Sequence, residues 1–479
     1  MPLAARQHIC RLACALLAGL LGTPALVAQD AAAVLENAHL RLEFGTRGLT
    51  KVIRKPDGLV CASGTAPLLR VTLVEHDNPP ITLGDNASWR ITPPAGQQLK
   101  LTTELSPAVM AECTVKLDGE LSRWQATLRA ADGMQVQAVT FPAIGKARIG
   151  ARGVDDRLLW PGSDWQQISW NPAGGKPATV TGLSPELLDL WDADGGLFFS
   201  VENEPLYDIA WTLIPAGEET VTLSATTHVA IIGPATWTSP VFLLAPHAGD
   251  WHWACDRYRE WATIAWKHPD VPAWAADCDV WTGSAHGLPD KGFSSFLEQA
   301  EAAQARGISL LRFNGQMADG LLNAEGDQPW LCPLWGSPEG FAEINRRIGE
   351  LGLRTLYCGN WQLWTPSWRH QPRINLAPAA LLPSNLDRKD DAWFLQNAAI
   401  ANRAVIDEPG RRAWMCPQAP GWQAQQLETA ARYTRDFGAG GLYFDQLITS
   451  RGHCENPAHG HPLPGQWLRG SVELLRRIT

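Results

Sequence analysis

The period of the hydrophobic pattern changes once along this chain, near Pro246, and this change restricts the fold more than any other feature. From Asn37 to Leu244, short segments alternate apolar and polar residues; in HLRLEF, for example, Leu40, Leu42 and Phe44 share one face. Gly, Asp, Asn and Pro separate these segments. Many short alternating strands with such turns predict a large antiparallel β-sandwich.

Beyond Pro246 the pattern first becomes helical, in GDWHWACDRYREWATIAW, and we predict a linker helix there. Four strand-like segments then alternate with amphipathic helices: CDVWTG, ISLLRFNG, LRTLYCGNW and GLYFDQL. Strands that alternate with helices predict βαβ units and a parallel sheet. Residues 277–479 fall short of the ~250 residues of a full eightfold barrel. We therefore expect a barrel that is cut after its fourth strand.

The fold class predicted is multidomain β plus α/β, an N-terminal antiparallel β-supersandwich followed by the first half of a (β/α)8 barrel. The sandwich is assigned to 31–245, the linker helix to 246–276 and the partial barrel to 277–479. A short apolar run with a basic start makes residues 1–28 an export signal, so the expected location is secreted or periplasmic. No later stretch is long and apolar enough to span a membrane.

The amino-acid composition restricts the class of molecule that this chain is expected to bind. The net charge is −9 and no basic run is present, which argues against nucleic acid. The 23 Trp residues greatly outnumber the 5 Tyr residues, and flat aromatic faces commonly stack on sugar rings. The alternative is that most of these Trp side chains fill cores and interfaces. Carbohydrate is therefore the expected partner.

Polar and aromatic residues end each strand of the predicted parallel sheet. In parallel α/β folds the carboxyl ends of the strands line the active site. A carboxylate on an otherwise apolar strand must be paired, hydrated or used, so we predict that Asp445 is catalytic, against the alternative that it caps the next turn. The residues at these ends that we predict to bind substrate are Trp281, Arg312, Asn314, Asn360, Trp361 and Gln446.

Two of these assignments leave a structural alternative open. Arg312 is expected to pair with Asp279 or Asp445, and such an ion pair serves either the site or the fold. The tryptophans after the third strand form stacking subsites for sugar or pack a long loop onto the barrel. They are Trp361, Trp364 and Trp368.

A loop after Asp445 concentrates His453, Cys454, His459 and His461. His and Cys are zinc ligands, but the spacing matches no standard motif and the chain has no CxxC pair. The imidazoles would otherwise bind sugar hydroxyls or orient the loop. We assign His459 and His461 to substrate binding and predict no metal and no cofactor.

Two segments resemble known families. NAHLRLEFGTRGLTKVI is similar to the opening strands of galactose-mutarotase-like sandwiches, and residues 440–478 resemble a bacterial family of unknown function. That family is related to the endo-α-N-acetylgalactosaminidases and, more loosely, to α-galactosidases and α-glucosidases. The resemblance implies a nucleophilic Asp at the end of barrel strand four, which is the position of Asp445. It also implies an acid/base carboxylate on a later strand, expected beyond residue 479, since Glu455 lies in a loop.

These observations predict an exported glycoside hydrolase of retaining type, active in its full-length form. The alternative is a non-catalytic carbohydrate-binding protein on the same scaffold. A second Asp or Glu at the end of a later strand would separate the two functions, because a retaining enzyme needs two carboxyl groups ~5–5.5 Å apart.

Overall fold

The computed structural model describes residues 32–55, 57–74, 79–161, 177–181, 185–217, 219–266, 270–276, 278–284, 291–314, 331, 335–364, 396–399, 413–445, 447, 453–454, 456–462 and 465–479. The predicted signal, Trp368, Gln446 and Glu455 lie outside these residues. Within the described ranges, no helix combines the length and apolar character needed to cross a membrane.

Two antiparallel sheets make up the N-terminal part of the chain, as the alternating pattern predicts. One sheet has the strand order β1-β2-β3-β4-β11-β17-β16-β13, with β5 paired to β11 and β6 to β5. The other has the order β12-β14-β15-β19-β10-β9-β8-β7, with β18 paired to β10. The strands are β1 (Ala33–Glu36), β2 (Leu40–Gly45), β3 (Gly48–Arg54), β4 (Val60–Gly64), β5 (Arg70–Leu73), β6 (Ile81–Leu83), β7 (Arg90–Ala95), β8 (Gln98–Ser106), β9 (Val109–Asp118), β10 (Leu121–Ala130), β11 (Gln135–Ala147), β12 (Arg157–Leu159), β13 (Ala178–Thr181), β14 (Leu187–Asp192), β15 (Gly195–Glu202), β16 (Ile209–Pro215), β17 (Val221–Ile232), β18 (Ala235–Thr238) and β19 (Val241–His247).

The inward-facing residues of both sheets form one core. Leu40, Leu42 and Phe44, which the sequence places on one face, are all buried. Trp124 and Trp211 lie fully inside this core, and Phe44 packs on Trp124 with ring centroids 5.7 Å apart. Burial of each large side chain stabilises the fold by about 1.5–3 kcal/mol, so these two tryptophans have the packing role.

The linker helix is present as α1 (Trp251–Ala265), followed by the short α2 (Ala273–Ala276). It begins where the Asp250 side chain accepts a hydrogen bond from the His252 backbone N–H at 3.1 Å. Within the first turn of the helix, the Trp253 ring stacks on His247 with ring centroids 4.5 Å apart. His247 in turn hydrogen-bonds the buried Asp189 carboxylate at 2.9 Å, and this contact holds the helix against the second sheet.

Four parallel strands follow, in the order β20-β21-β22-β25, and all four match segments predicted from the sequence. A glycine in the left-handed region follows each helix that precedes β21, β22 or β25; these are Gly307, Gly352 and Gly438, with φ of 75°, 79° and 68°. Glycine adopts this conformation without the penalty of a Cβ atom, so the chain can reverse into the next strand. The elements are β20 (Val280–Ser284), α3 (Ser294–Gln304), β21 (Leu310–Asn314), α4 (Pro338–Glu350), β22 (Arg354–Asn360), α5 (Pro420–Ala431), a π-helical turn (Arg432–Asp436) and β25 (Gly441–Asp445).

Short elements that the sequence pattern does not predict lie between and after these strands. Two antiparallel pairs of two-residue strands are formed by β23 (Leu363–Trp364) with β24 (Ala413–Trp414), and by β26 (His453–Cys454) with β27 (Gly465–Gln466). A 3₁₀ turn spans Pro457–His459. The helix that follows, α6 (Trp467–Ile478), is the one that the segment QWLRGSVELLRRIT predicts.

The sandwich supplies the cap for α6. Gln466 precedes this helix and makes no capping bond with its own side chain. Instead the carboxylate of Asp208, a buried sandwich residue, accepts from the Trp467 backbone N–H at 2.5 Å. Gln466 reaches back to the sandwich, where it accepts from the Asp208 N–H at 2.9 Å and donates to the His228 carbonyl at 3.1 Å. An anionic acceptor at a helix N-terminus also interacts favourably with the helix dipole.

We predict that Asp208→Ala lowers the free energy of unfolding by about 1.5–3 kcal/mol, because the Trp467 N–H loses a charged acceptor in a buried place. Urea denaturation measures this change. The matched control is Asp436→Ala, which removes an exposed carboxylate and is expected to cost less than about 1 kcal/mol. Equal effects of the two substitutions would contradict the capping role.

Candidate functional site

The parallel sheet has one face covered by helices. Leu311, Phe313 and Tyr357 point to this face and are buried against α3, α4 and the π-helical turn. The Tyr357 hydroxyl and the Thr355 hydroxyl both donate to Asn345 Oδ1, at 2.8 and 3.1 Å. Burial raises the pKa of Tyr357, so its hydroxyl stays protonated as this bond requires.

The opposite face of the sheet is polar. Side chains alternate along a strand, so the residues between those buried under the helices point away from the helices. In the strand register, Asn360 lies beside Asp445. Arg312, Leu356 and Gly441 are level with one another, and Gly441 precedes Asp445 by four residues along β25. This polar face carries Arg312, Asn314, Cys358, Asn360, Tyr443 and Asp445.

Arg312 lies deep on the polar face and does not reach Asp445. Its guanidinium carbon sits 3.9 Å from the centre of the Tyr443 ring, and its Nη2 lies 3.6 Å from Cys358 Sγ. Arg312 is level with Gly441, which lies four residues before Asp445 on the neighbouring part of the sheet. Because four residues of a strand span roughly 13 Å, the expected ion pair between Arg312 and Asp445 does not form. Asp279 precedes β20, at the other end of the sheet. Among the residues that the structure describes, Arg312 therefore has a cation–π partner rather than a carboxylate.

Two asparagines on the polar face have different environments. Asn360 is buried, and its Oδ1 accepts from the backbone N–H groups of Gln362 and Leu363 at 3.1 and 2.9 Å. It therefore ends β22 in an Asx turn, which is a structural role. Asn314 Oδ1 is buried and has no hydrogen-bond partner in the described ranges. A buried amide oxygen in this state is costly unless a ligand or water satisfies it.

Asp445 ends the fourth parallel strand on the polar face and is partly exposed. Its backbone carbonyl accepts from the Trp361 N–H at 3.3 Å, which keeps the end of β25 joined to β22. Tyr443 lies two residues earlier on the same face, and 39% of its surface is exposed. A carboxylate beside an exposed aromatic ring can bind one sugar hydroxyl or attack an anomeric carbon while the ring supports the sugar.

Two tryptophans that the sequence assigns to substrate binding lie on the helix-covered side of the sheet and not on its polar face. Trp281 is level with Leu311 and packs against the helix-covered core, with Arg306 over its ring at 5.3 Å. Trp361 is 2% exposed and packs on Phe444 with ring centroids 4.5 Å apart. Because Asn360 points to the polar face, alternation along the chain sends Trp361 to the helix side.

Trp364 is also buried, against Trp422 at 6.0 Å between ring centroids. The packing interpretation therefore holds for Trp361 and Trp364, and neither offers a free face to a sugar. Trp368 and Gln446 lie outside the described residues.

His459 and His461, which the sequence assigns to substrate binding, each contact a cysteine sulfur. His459 Nδ1 lies 3.2 Å from Cys454 Sγ and the side chain is buried. His461 Nε2 lies 3.4 Å from Cys416 Sγ. Three of these residues are close in the sequence, but local spacing does not indicate Cys416, which precedes Cys454 by 38 positions.

Tyr443 belongs to the candidate site but is not among the residues that the strand-end pattern predicts. It belongs to the segment GLYFDQL that drew attention to Asp445. The period of two along a strand would have found it, since the residue two before Asp445 must share its face. The candidate site therefore consists of Asp445, Tyr443 and Asn314, with Arg312 beneath the tyrosine.

The described architecture, two antiparallel sandwich sheets followed by a smaller parallel sheet with helices, also occurs in solved glycoside hydrolase structures. The α-N-acetylgalactosaminidase NagBb from Bifidobacterium bifidum, in complex with GalNAc, matches with a TM-score of 0.60 and 12% identity over 93% of this chain and 74% of that chain. An α-galactosidase from Lactobacillus brevis matches with a TM-score of 0.52 and 10% identity, over 93% and 68%. The GH36 α-galactosidase AgaA from Geobacillus stearothermophilus matches with a TM-score of 0.52 and 12% identity, over 97% and 66%. At these identities the likeness establishes the fold.

The family model Domain of unknown function (DUF6259) matches residues 330–479. This range includes β22, β25, Asp445 and the loop with Cys454 and the two histidines. No curated protein sequence matches the chain.

Proposed function

We propose that this chain belongs to an exported glycoside hydrolase that acts on α-linked galactose or N-acetylgalactosamine by a retaining mechanism, with Asp445 as the nucleophile. The observation that carries the proposal is the position of Asp445 at the carboxyl end of the fourth parallel strand, on the face away from the helices. The fold likeness to an α-N-acetylgalactosaminidase and to α-galactosidases supports the choice of sugar. In parallel α/β folds this end of the sheet is where catalytic side chains lie.

The proposal includes the barrel predicted from the sequence. Four strands in sequential order, with helices on one face and polar side chains on the other, are what the first half of a (β/α)8 barrel presents. The polar face would then be the barrel interior. The second carboxyl group of a retaining glycosidase is not among the strand ends that the structure describes, and we assign it to another part of the barrel wall.

In the proposed reaction, one Asp445 oxygen attacks the anomeric carbon and the bond to the leaving oxygen breaks as that oxygen receives a proton from the second carboxyl group. A glycosyl ester on Asp445 results, and water then releases the sugar with its original anomeric configuration. Tyr443 would lie against the sugar ring, and the unsatisfied Asn314 Oδ1 would accept from a sugar hydroxyl.

The full-length protein tests this function directly. We expect turnover of a p-nitrophenyl α-galactoside or α-N-acetylgalactosaminide, with the α-anomer as the first product by proton NMR. Release of the β-anomer would contradict the retaining mechanism. Sugar binding without turnover would favour the alternative of a non-catalytic carbohydrate-binding protein, and absence of both binding and turnover across α-linked sugars would contradict the proposal.

We predict that Tyr443→Ala weakens sugar binding roughly tenfold, because stacking on an aromatic face is worth ~1–3 kcal/mol in nucleic acids and a sugar should give a similar or smaller value. Titration calorimetry with the free sugar measures the change. Tyr443→Phe keeps the ring and the contact with Arg312, so it is the matched control and should bind nearly as well as the wild type. Unchanged affinity in Tyr443→Ala would remove this residue from the site.

A further inference from the structure

Four side chains of metal-binding type converge in the part of the chain that follows the parallel sheet and in the segment before α5. Their ligand atoms, the sulfurs of Cys416 and Cys454 and one nitrogen each of His459 and His461, all lie within 4.8 Å of one another. We propose that these four side chains bind one Zn²⁺ ion in a tetrahedral Cys2His2 site. The proposal does not depend on the sugar chemistry proposed above.

The spacing of the ligand atoms suits zinc. Cys454 Sγ lies 3.2 Å from His459 Nδ1, and Cys416 Sγ lies 3.4 Å from His461 Nε2. With Zn–S near 2.3 Å and Zn–N near 2.0–2.1 Å, the edge of a tetrahedron between sulfur and nitrogen is roughly 3.5 Å. Two edges of the required tetrahedron therefore exist already. Two sulfur and two nitrogen ligands in this geometry favour zinc over metals that prefer oxygen.

The hydrogen bonds of the histidines fix the tautomers that a metal requires. His459 Nε2 lies 2.7 Å from the Gln396 carbonyl oxygen, and His461 Nδ1 lies 2.9 Å from the Pro462 carbonyl oxygen. A carbonyl oxygen only accepts, so these nitrogens carry the protons. In the neutral imidazoles, the nitrogens that face the sulfurs, Nδ1 of His459 and Nε2 of His461, then carry the lone pairs that a metal needs. Bonds of this kind orient the ligating histidines of known zinc sites.

The local backbone is built to bring the ligands together. Asn456 caps the 3₁₀ turn by accepting from the Ala458 N–H at 3.0 Å, and Gly460 reverses the chain at φ of 73° so that the histidines on either side face inward. Gly465 pairs with Cys454 across β26 and β27. A Cβ atom at Gly465 would lie 2.4 Å from His461 Cε1, so only glycine leaves room for this imidazole.

The two cysteines lie in apolar, buried surroundings, while His461 is partly exposed. Cys416 and Cys454 are each 1% exposed and belong to a cluster that includes Trp364, Trp422 and Trp467. Two thiolates neutralise the charge of Zn²⁺, so a loaded site carries no net charge into this environment, and binding releases the thiol protons. Four protein ligands leave no open position for a substrate. The ion is therefore structural, of the kind that contributes to folding.

A disulfide between Cys416 and Cys454 is the competing use of the two sulfurs in an exported protein. It would leave two inward-facing nitrogen lone pairs against sulfur atoms that have no proton to offer. A metal ion satisfies all four atoms at once, and for this reason we favour zinc. The ion would tie the loop that follows Asp445 to the segment that leads into α5, since Cys454 lies nine positions after Asp445.

Metal analysis of the full chain, produced with zinc in the medium and without a histidine tag, tests the proposal. We expect about one zinc per chain by mass spectrometry, and about one tenth of that or less in Cys416→Ser and His461→Ala. Cys255→Ser and His39→Ala remove a cysteine and a histidine elsewhere and should keep the full amount. Gly465→Ala should weaken zinc binding about 10–100-fold by displacing His461, with all four ligands present.

Cobalt substitution in the wild-type protein gives an independent result, which does not require that any variant folds. Tetrahedral Co²⁺ with thiolate ligands gives strong visible bands and a near-ultraviolet charge-transfer band, and we expect both. Zinc-free wild-type protein together with a weak octahedral cobalt spectrum would overturn the proposal. So would two cysteines that resist alkylation in denaturant until a reductant is added, because that result identifies a disulfide.

Discussion

In the full-length protein, Asp445→Asn is expected to lower kcat by roughly 10³-fold or more on the best α-linked substrate, while the melting temperature changes little. The amide keeps the size of the side chain but cannot form the glycosyl ester. The effect should be on kcat rather than on sugar affinity, because the amide can still accept a hydrogen bond from a sugar hydroxyl. Initial rates together with binding of the free sugar separate the two contributions.

The matched control for Asp445→Asn is Asp279→Asn, which changes an exposed carboxylate before β20, at the other end of the parallel sheet. Its turnover should stay within about twofold of the wild type. A second variant gives a positive signal: in Asp445→Gly, added azide should attack the anomeric carbon from the vacated side, expel an aryl leaving group and yield the glycosyl azide of inverted configuration. Near-normal turnover in Asp445→Asn would show that Asp445 is not the nucleophile.

The largest expected effect on stability is that of Trp361→Ala, about 3–5 kcal/mol of the free energy of unfolding. The indole is 2% exposed and fills the space between Phe444, Ala430 and Leu474. Its loss leaves a cavity where β22 and β25 meet α5 and α6. Chemical denaturation, monitored by circular dichroism and not by tryptophan fluorescence, measures the loss of unfolding free energy.

Trp274→Ala serves as the comparison, because Trp274 is 39% exposed and its removal should cost about 1 kcal/mol or less. The folded fraction of Trp361→Ala should bind sugar as the wild type does. Normal stability combined with lost sugar affinity would return Trp361 to the stacking role that the strand-end pattern first indicated.

The sequence pattern predicted the secondary structure better than the side-chain directions. The two sandwich sheets, the linker helix and all four parallel strands were predicted, because each depends on hydrophobic period and on glycines at helix ends. The strand-end residues were treated as one group, although alternate residues of a strand face opposite ways. Trp281 and Trp361 were therefore assigned to the site, and Tyr443 was missed.

Local sequence patterns do not predict contacts between residues that are far apart in the chain. Cys416 meets Cys454 across 38 positions, and Asp208 meets Trp467 across 259. Neither spacing is a motif, because the intervening chain can have almost any length once tertiary packing brings the ends together. The predicted ion pair of Arg312 with Asp279 or Asp445 is wrong for a related reason. The charge of a residue does not show how far along its strand it lies relative to residues of the neighbouring strands.

The cap of α6 by Asp208 has a consequence for the order of folding during synthesis. The ribosome releases Asp208 long before Trp467, so the sandwich can be complete when the helix emerges. The carboxylate is then held in place as a template for the first turn of α6, where nucleation of a helix is otherwise costly. A mutation that delays folding of the sandwich should therefore also delay formation of α6. Nascent chains would then be sensitive to protease in the sandwich and in α6 at the same time.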